Sequence, residues 1–158
     1  HMIKIGERIP NSILRIKNEK IEEINTDDIF SNCKIVLFAL PGAFTPTCSA
    51  KHLPGYLDAS EKIKIKGVNE IFCLAVNDPH VMKEWGIHNK VSNKIKMLSD
   101  SDCSFSKKIG LDHDYGVILG HRSLRFSMLI EDCILAKLFV DEVGVFKYSS
   151  AENLFPHI

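Results

Sequence analysis

Lys34-Ile35-Val36-Leu37-Phe38-Ala39-Leu40 runs straight into Pro41-Gly42, and a long segment with an apolar face follows from Pro46 to about Lys66. The first stretch has no polar residue after Lys34. It therefore predicts a strand covered on both faces rather than one with a wet side. Proline and glycine break it. Leu53, Leu57, Ala59 and Ile63 place an apolar stripe on the helix that should follow, and Gly67 closes that helix. Lys62, Lys64 and Lys66 suit the negative end of its dipole. A second apolar run, Glu70 to Val76, returns as another buried strand, continuous enough to be central. A strand, helix and strand of this kind form a right-handed parallel crossover, which is the seed of an α/β fold.

The flanks extend that unit. Upstream, Ile13 to Ile16 and Ile21 to Ile24 around Asn18-Glu19 read as a β-hairpin, and Thr26 as the N-cap of a short turn through Phe30. Downstream, Asp78-Pro79 is a cap with proline at the first helical position, opening a helix through about Ile87. Lys96 to Leu98 predicts a short strand, and Ser104 to Ile109 a short helix after Asp102. Leu124 to Ile130 and Ile134 to Val140 predict two strands joined by Glu131-Asp132-Cys133, and Ser150 to Phe155 a last helical turn. The expected architecture is a central mixed sheet flanked by helices with an N-terminal β-hairpin extension, as in a thioredoxin-like fold. Residues 3–158 should form one domain, and His1-Met2 read as an expression-vector scar.

Composition narrows the function. Lysine plus arginine and aspartate plus glutamate number 20 each, a balance that argues against nucleic acid or a membrane surface as the main partner. No apolar run approaches the roughly 18 residues of a membrane span. No signal or transit peptide is evident, so the expected setting is cytoplasmic, or organellar (plastid or mitochondrion) after loss of a presequence. The five cysteines, Cys33, Cys48, Cys73, Cys103 and Cys133, include no C-x-x-C pair. A disulfide framework or structural zinc site is therefore not expected, and one thiol in a reducing compartment is the candidate for chemistry.

Cys48 is the best placed of the five. It should sit in the first helical turn, close to the carboxyl end of the first buried strand, where open α/β folds place their ligands. A thiolate is the nucleophile, and the unpaired N–H groups and positive dipole of a helix start stabilise it. Location alone leaves open the alternative of a buried structural cysteine. The neighbours add to the case: Thr45 can aim its hydroxyl at the sulfur or a bound oxygen, and Pro41 fixes the loop without offering an N–H.

The segment Pro41-Gly42-Ala43-Phe44-Thr45-Pro46-Thr47-Cys48-Ser49 contains the Pro-x-x-x-Thr-x-x-Cys signature of peroxiredoxins. With His52 and Pro54-Gly55 it resembles the type II, or peroxiredoxin-5-like, subfamily. The likeness continues through Val76-Asn77-Asp78-Pro79, Met82, Trp85, Leu98-Ser99-Asp100 and Arg125-Phe126-Ser127-Met128, covering nearly the whole chain. The resemblance implies a thiol peroxidase that reduces hydrogen peroxide and organic hydroperoxides in antioxidant defence and redox homeostasis. Cys48 would be the peroxidatic nucleophile, with Thr45, Pro41 and Arg125 catalytic, and Gly42, Thr47 and Arg125 touching substrate. Arg122 is the nearby competitor for the arginine's place; strand alternation need not point the two the same way. Cys48 would become a sulfenic acid.

The resemblance also frames regeneration. Some peroxiredoxin-5-like proteins resolve the sulfenic acid with a cysteine near the C-terminus, where this chain has Tyr148-Ser149-Ser150. Plant-like members carry one in the strand after the catalytic helix, where Cys73 stands. A helix of about 27 Å and a strand return of about 16 Å leave an offset of roughly 10 Å, more than the roughly 4–7 Å a disulfide spans. Cys73 thus reads as a possible resolving thiol or an inert core residue. The expected cycle uses one cysteine, with no prosthetic cofactor or metal, and is regenerated by glutathione with glutaredoxin, or second by thioredoxin. The family also implies a homodimer, with Phe44 and Pro46 as possible contacts.

The remaining candidates read as structural. His52, four residues after Cys48, suits packing or hydrogen bonding better than metal ligation. Cys33 and Cys103 look inert, Cys133 looks exposed and accessory, Met82 and Trp85 look like core, and Lys94 and Lys96 look solvated. The rival function is a noncatalytic thiol redox sensor on the same fold. A disulfide oxidoreductase lacks its C-x-x-C here, and a cysteine hydrolase lacks a positioned base.

Overall fold

The computed structural model describes the backbone of residues 1–158 and every side chain except those of Cys48 and Ser49. Nine strands and five α-helices are present: β1 (Ile13–Lys17), β2 (Ile21–Asn25), α1 (Thr26–Phe30), β3 (Lys34–Ala39), α2 (Leu53–Ile65), β4 (Glu70–Ala75), α3 (Pro79–His88), β5 (Lys96–Ser99), α4 (Ser104–Lys108), β6 (Asp112–Asp114), β7 (His121–Ser123), β8 (Phe126–Glu131), β9 (Ile134–Val140) and α5 (Ala151–Leu154). Seven strands make a mixed sheet in the order β2-β1-β5-β4-β3-β8-β9, and β6 and β7 pair separately. β3, β4 and β5 run parallel, with Phe38 opposite Cys73 and Cys73 opposite Met97. β8 is antiparallel to β3, with Ala39 opposite Phe126. The two apolar runs of the sequence are thus the two central strands, as a mixed thioredoxin-like sheet requires.

Strand alternation divides the core. Val36, Phe38, Ile71, Cys73 and Ala75 face Leu53, Tyr56 and Ile63 of α2, Met82 and Trp85 of α3, and Leu154 of α5. Ile35, Leu37, Ala39, Phe72 and Leu74 face the other way, toward Phe30 of α1, Phe105 of α4 and the N-terminal Ile3 and Ile9. Covering both faces explains why β3 and β4 carry no polar alternation. Phe38 and Tyr56 stack with ring centroids 4.1 Å apart, locking α2 over the middle of β3.

Several local expectations change. The cap of α1 is Asn25, whose side chain accepts from the Asp27 N–H at 3.0 Å. Thr26 instead pins the segment before β1, donating to the Pro10 carbonyl and accepting from the Ser12 N–H. Cys133 is buried rather than exposed. Asp132 and Cys133 both take positive φ (47° and 64°), the geometry of a tight hairpin turn. That turn folds onto α1, where the Cys133 N–H meets the Phe30 carbonyl at 2.9 Å, and the N-terminal segment covers it through Ile9. The helix expected from Pro46 to Lys66 is interrupted by a π-helical turn over Cys48–His52 before α2 proper. Such single wide turns inside α-helices occur disproportionately at functional sites.

Candidate active site

Sheet topology alone brings three chain segments together. β3 and β4 are parallel, so the segments leaving them, Leu40–Thr47 and Val76–Asp78, emerge at one edge. β8 is antiparallel to β3 and enters the sheet at that edge, so Arg125, the residue before β8, lands beside them. The predicted residues Pro41, Gly42, Thr45, Thr47 and Arg125 therefore meet at the carboxyl end of the central strands, where open α/β sheets build sites.

The loop is held tightly. The Ala43 N–H donates to Asn77 Oδ1 at 2.9 Å, and Thr45 Oγ1 donates to the Gly42 carbonyl at 2.8 Å. Arg122 donates through Nη1 to the Pro41 carbonyl at 3.1 Å and through Nε to the Leu119 carbonyl at 2.9 Å. A Cβ on Gly42 would lie 2.7 Å from Arg122 Nη1 and 3.3 Å from Thr45 Cγ2, so glycine permits this close approach. Phe44, at φ +62°, turns its ring outward and is 53% exposed.

The two arginines are used differently. Both donors of Arg122 that have a partner here go to loop carbonyls. Arg125 is 9% exposed, donates from Nη1 to His52 Nδ1 at 2.8 Å, and lies over the Phe146 ring with Cζ 5.8 Å from its centroid. A cavity of about 490 Å³ opens here, with Pro41, Thr45, Thr47, Leu119, Arg125 and Phe146 in its lining. A smaller cavity of about 190 Å³ lies among Lys17, Lys83 and Lys96 and has no cysteine in its lining. Arg122 lies outside the lining of the larger cavity.

The side chain of Cys48 lies outside the described residues; its backbone opens the π-helical turn. Among the described residues, Cys33, Cys103 and Cys133 are free thiols. Cys73 is fully buried in β4. Burial pushes the Cys103 thiol up to about 11, helped by the Asp100 carboxylate. Burial also raises Cys33, followed by its closeness to Cys133, and burial raises Cys133. High thiol pKa values suppress the thiolate and with it the nucleophile.

His52 is fully buried and acts as a partner of Arg125. Burial, then the Arg125 charge, pull its pKa down to about 3, so the ring is neutral. Among the described residues no cluster of three or more His, Cys, Asp or Glu could hold a metal ion, and no helix is long and apolar enough to cross a membrane. The sequence placed Asn77 in the Val76-Asn77-Asp78-Pro79 string and gave His52 a packing or hydrogen-bonding role, but it did not show their partners, Ala43 and Arg125; the His52 contact spans 73 residues of chain.

Similarity to known proteins agrees with this geometry. Residues 4–154 match the family model for Redoxin. Peroxiredoxin-2B of Arabidopsis thaliana is 36% identical over 155 residues, covering 96% of each chain. Reduced Prx3 of Vibrio vulnificus, solved in complex with H2O2, superposes with a TM-score of 0.96 at 39% identity over 99% of each chain. The Plasmodium falciparum antioxidant protein, a 1-Cys peroxiredoxin, superposes with a TM-score of 0.89 at 33% identity over 96% of each chain. A buried arginine, a threonine and a helix start bearing a cysteine, gathered at the end of a central parallel strand, thus belong to a chain that is a member of the peroxiredoxin family of thiol peroxidases, in its type II, peroxiredoxin-5-like branch.

Proposed function

We propose that the Cys48 thiolate attacks the terminal oxygen of a hydroperoxide held in the 490 Å³ cavity by Arg125, Thr45 and the backbone N–H groups of the Gly42–Thr47 loop. The S–O bond forms as the O–O bond breaks, and the departing oxygen takes up a proton: Cys–S⁻, ROOH and H⁺ give Cys–SOH and ROH. One observation carries this reading: Pro41, Thr45, Thr47 and Arg125 line one cavity around the turn in which Cys48 stands. Thr45 already donates its proton to the Gly42 carbonyl, so its oxygen is set to accept one from the hydroperoxide. Arg125 faces the oxygen on which negative charge grows, and fixed donors of that kind lower the barrier.

For regeneration we propose a one-cysteine cycle. Its support is the burial of Cys73 in the middle of the sheet, the absence of any cysteine after Cys133 in the sequence, and the likeness to a 1-Cys relative. Glutathione would condense with the sulfenic acid to a mixed disulfide and water, and glutaredoxin would release the thiolate; thioredoxin is the second candidate. No prosthetic group takes part. The free thiols of Cys33, Cys103 and Cys133 favour a reducing compartment, cytoplasmic or organellar. Exposed Phe44, in the loop that carries Thr45 and with its ring near Trp85 and His88 of α3, is a fitting contact for a homodimer. A sensor without turnover has less support, because it has no use for the substrate-gripping set. The experiment is hydroperoxide turnover coupled separately to glutathione with glutaredoxin and to thioredoxin. Wild type and Cys73→Ser should turn over equally with the first system. Failure of Cys73→Ser alone would overturn the one-cysteine cycle, and failure of both proteins with every reductant would leave the sensor.

A further inference from the structure

Around Arg125 the hydrogen bonds close into a ring. Arg125 Nη1 meets His52 Nδ1 at 2.8 Å, and His52 Nε2 meets the Ser149 carbonyl at 3.1 Å. Ser149 donates from its backbone N–H at 3.2 Å and its hydroxyl at 2.6 Å to Asp141 Oδ2. The Asp141 N–H then returns to the Arg125 carbonyl at 2.9 Å. Every direction in the ring is forced. A guanidinium only donates, so Nδ1 must accept; a carbonyl only accepts, so Nε2 must carry the proton. The histidine is therefore held in a single neutral tautomer.

Two further features stiffen the ring. The Tyr56 hydroxyl donates to the same Ser149 carbonyl at 2.7 Å, and the His52 ring packs between Phe38 and Phe146 with centroids 5.1 Å from each. Asp141 also accepts from the backbone N–H of Lys147 at 3.1 Å and of Tyr148 at 2.7 Å. Four donors thus converge on one carboxylate that is 2% exposed, and they gather the chain from Asp141 to Ser149 into a closed loop. That loop supplies Phe146, a wall of the cavity. Burial raises the Asp141 carboxyl but the Ser149, Tyr148 and Lys147 donors outweigh it, so the carboxylate is charged.

We infer that His52 and Asp141 are positioning residues for the peroxidase reaction: Asp141 fixes the Ser149 carbonyl, which fixes the His52 tautomer, which aims the Arg125 guanidinium into the cavity. This rests on the reading of Arg125 as the group that grips the hydroperoxide. Neither side chain needs to touch substrate. A guanidinium without the Nδ1 acceptor keeps its charge but loses its aim, and reaction rates fall steeply with small misplacements.

The test measures the rate constant for oxidation by hydrogen peroxide in a double-mutant cycle. His52→Phe keeps a ring but removes the acceptor, and should slow the reaction about tenfold or more, the value of a hydrogen bond to a charged group. His52→Gln, with an amide oxygen for Arg125 and an amide N–H for Ser149, should recover most of the loss. In an Arg125→Gln background His52→Phe should cost almost nothing, because there is no guanidinium to aim. An equal loss in both backgrounds would mark a purely structural effect and overturn the inference. A slow Arg125→Gln protein beside an unaffected His52→Phe protein would refute the ring alone, whereas an unaffected Arg125→Gln protein would refute the role of Arg125 itself. Should His52→Phe fail to fold, the same cycle with Asp141→Asn decides by the same criterion.

Discussion

The buried neutral histidine makes a quantitative forecast about acid stability. His52 has an ordinary pKa of 6.5 and is held down to about 3 in the folded protein, first by burial and then by the Arg125 charge. Below 6.5 the unfolded chain binds a proton at this ring that the native state refuses. Unfolding is then coupled to proton uptake, and stability falls as pH falls through the window from 6.5 to 3. At pH 4.5 the unfolded histidine is roughly two units below its pKa, and each unit is worth about 1.4 kcal/mol. The native state should lose about 2.5 kcal/mol between pH 7.5 and 4.5 through this side chain alone. The figure depends little on the native value, provided that lies below 4.5. Asp141 does not contaminate the window, because a carboxylate with a depressed pKa loses its contribution only at more acid pH. The assay is urea unfolding at pH 7.5, 6.5, 5.5 and 4.5, followed by fluorescence of Trp85, the single, fully buried tryptophan. Wild type is compared with His52→Gln, so that other titrating groups cancel. The stability difference between the two proteins should be constant above about pH 7 and shift by about 2.5 kcal/mol in favour of His52→Gln on going to pH 4.5. Parallel curves would mean that His52 titrates normally in the fold, and the tautomer argument would fail with it.

Three further outcomes follow from the packing. Gly42→Ala places a methyl 2.7 Å from Arg122 Nη1 and 3.3 Å from Thr45 Cγ2, so peroxide oxidation should slow by about tenfold while the unfolding midpoint barely moves; an unchanged rate would contradict a tight loop. Gly86→Ala does the reverse, because its Cβ meets Met97 Cγ at 2.8 Å and Val91 Cγ2 at 3.2 Å, all three residues lying outside the lining of the active-site cavity; urea unfolding should show a loss of about 1–2 kcal/mol with peroxidase activity intact. Iodoacetamide at neutral pH should leave Cys103 unmodified in the folded protein, since its thiol sits near 11, and peptide mapping that found it among the first labelled would contradict the burial.

The fold was readable where one segment carried its own instruction. Lys34–Leu40 and Glu70–Val76 are apolar on both faces because helices cover both, and Asp78 caps α3 through the Val81 N–H as the Asp-Pro pair implied. The β6–β7 hairpin was not readable: three residues a side, Asp112-His113-Asp114 against His121-Arg122-Ser123, offer no apolar period. Cys133 was misjudged because a turn usually faces water, and only the tertiary fold shows α1 and the N-terminal segment closing over it. The site divides along the same line. Pro41, Thr45 and Cys48 share one nine-residue stretch after a buried strand, so location and the resemblance to the peroxiredoxin signature pointed to them together. Arg125 was reachable by resemblance and is separated from Arg122 by geometry, one aimed at His52 beside the cavity and the other spent on the Pro41 and Leu119 carbonyls. Asp141 and Ser149 had no local signal, since their service to Arg125 runs through a histidine about a hundred residues away in the chain, a pairing that only the closed structure makes.

The central claim is that one sulfur, that of Cys48, takes the oxygen. Dimedone trapping of sulfenic acid, with one equivalent of hydrogen peroxide followed by peptide mass mapping, addresses it directly. The adduct should appear on Cys48 and be lost in Cys48→Ser. A sulfenic acid trapped on Cys33, Cys73, Cys103 or Cys133 while Cys48 stays unmodified would contradict the account.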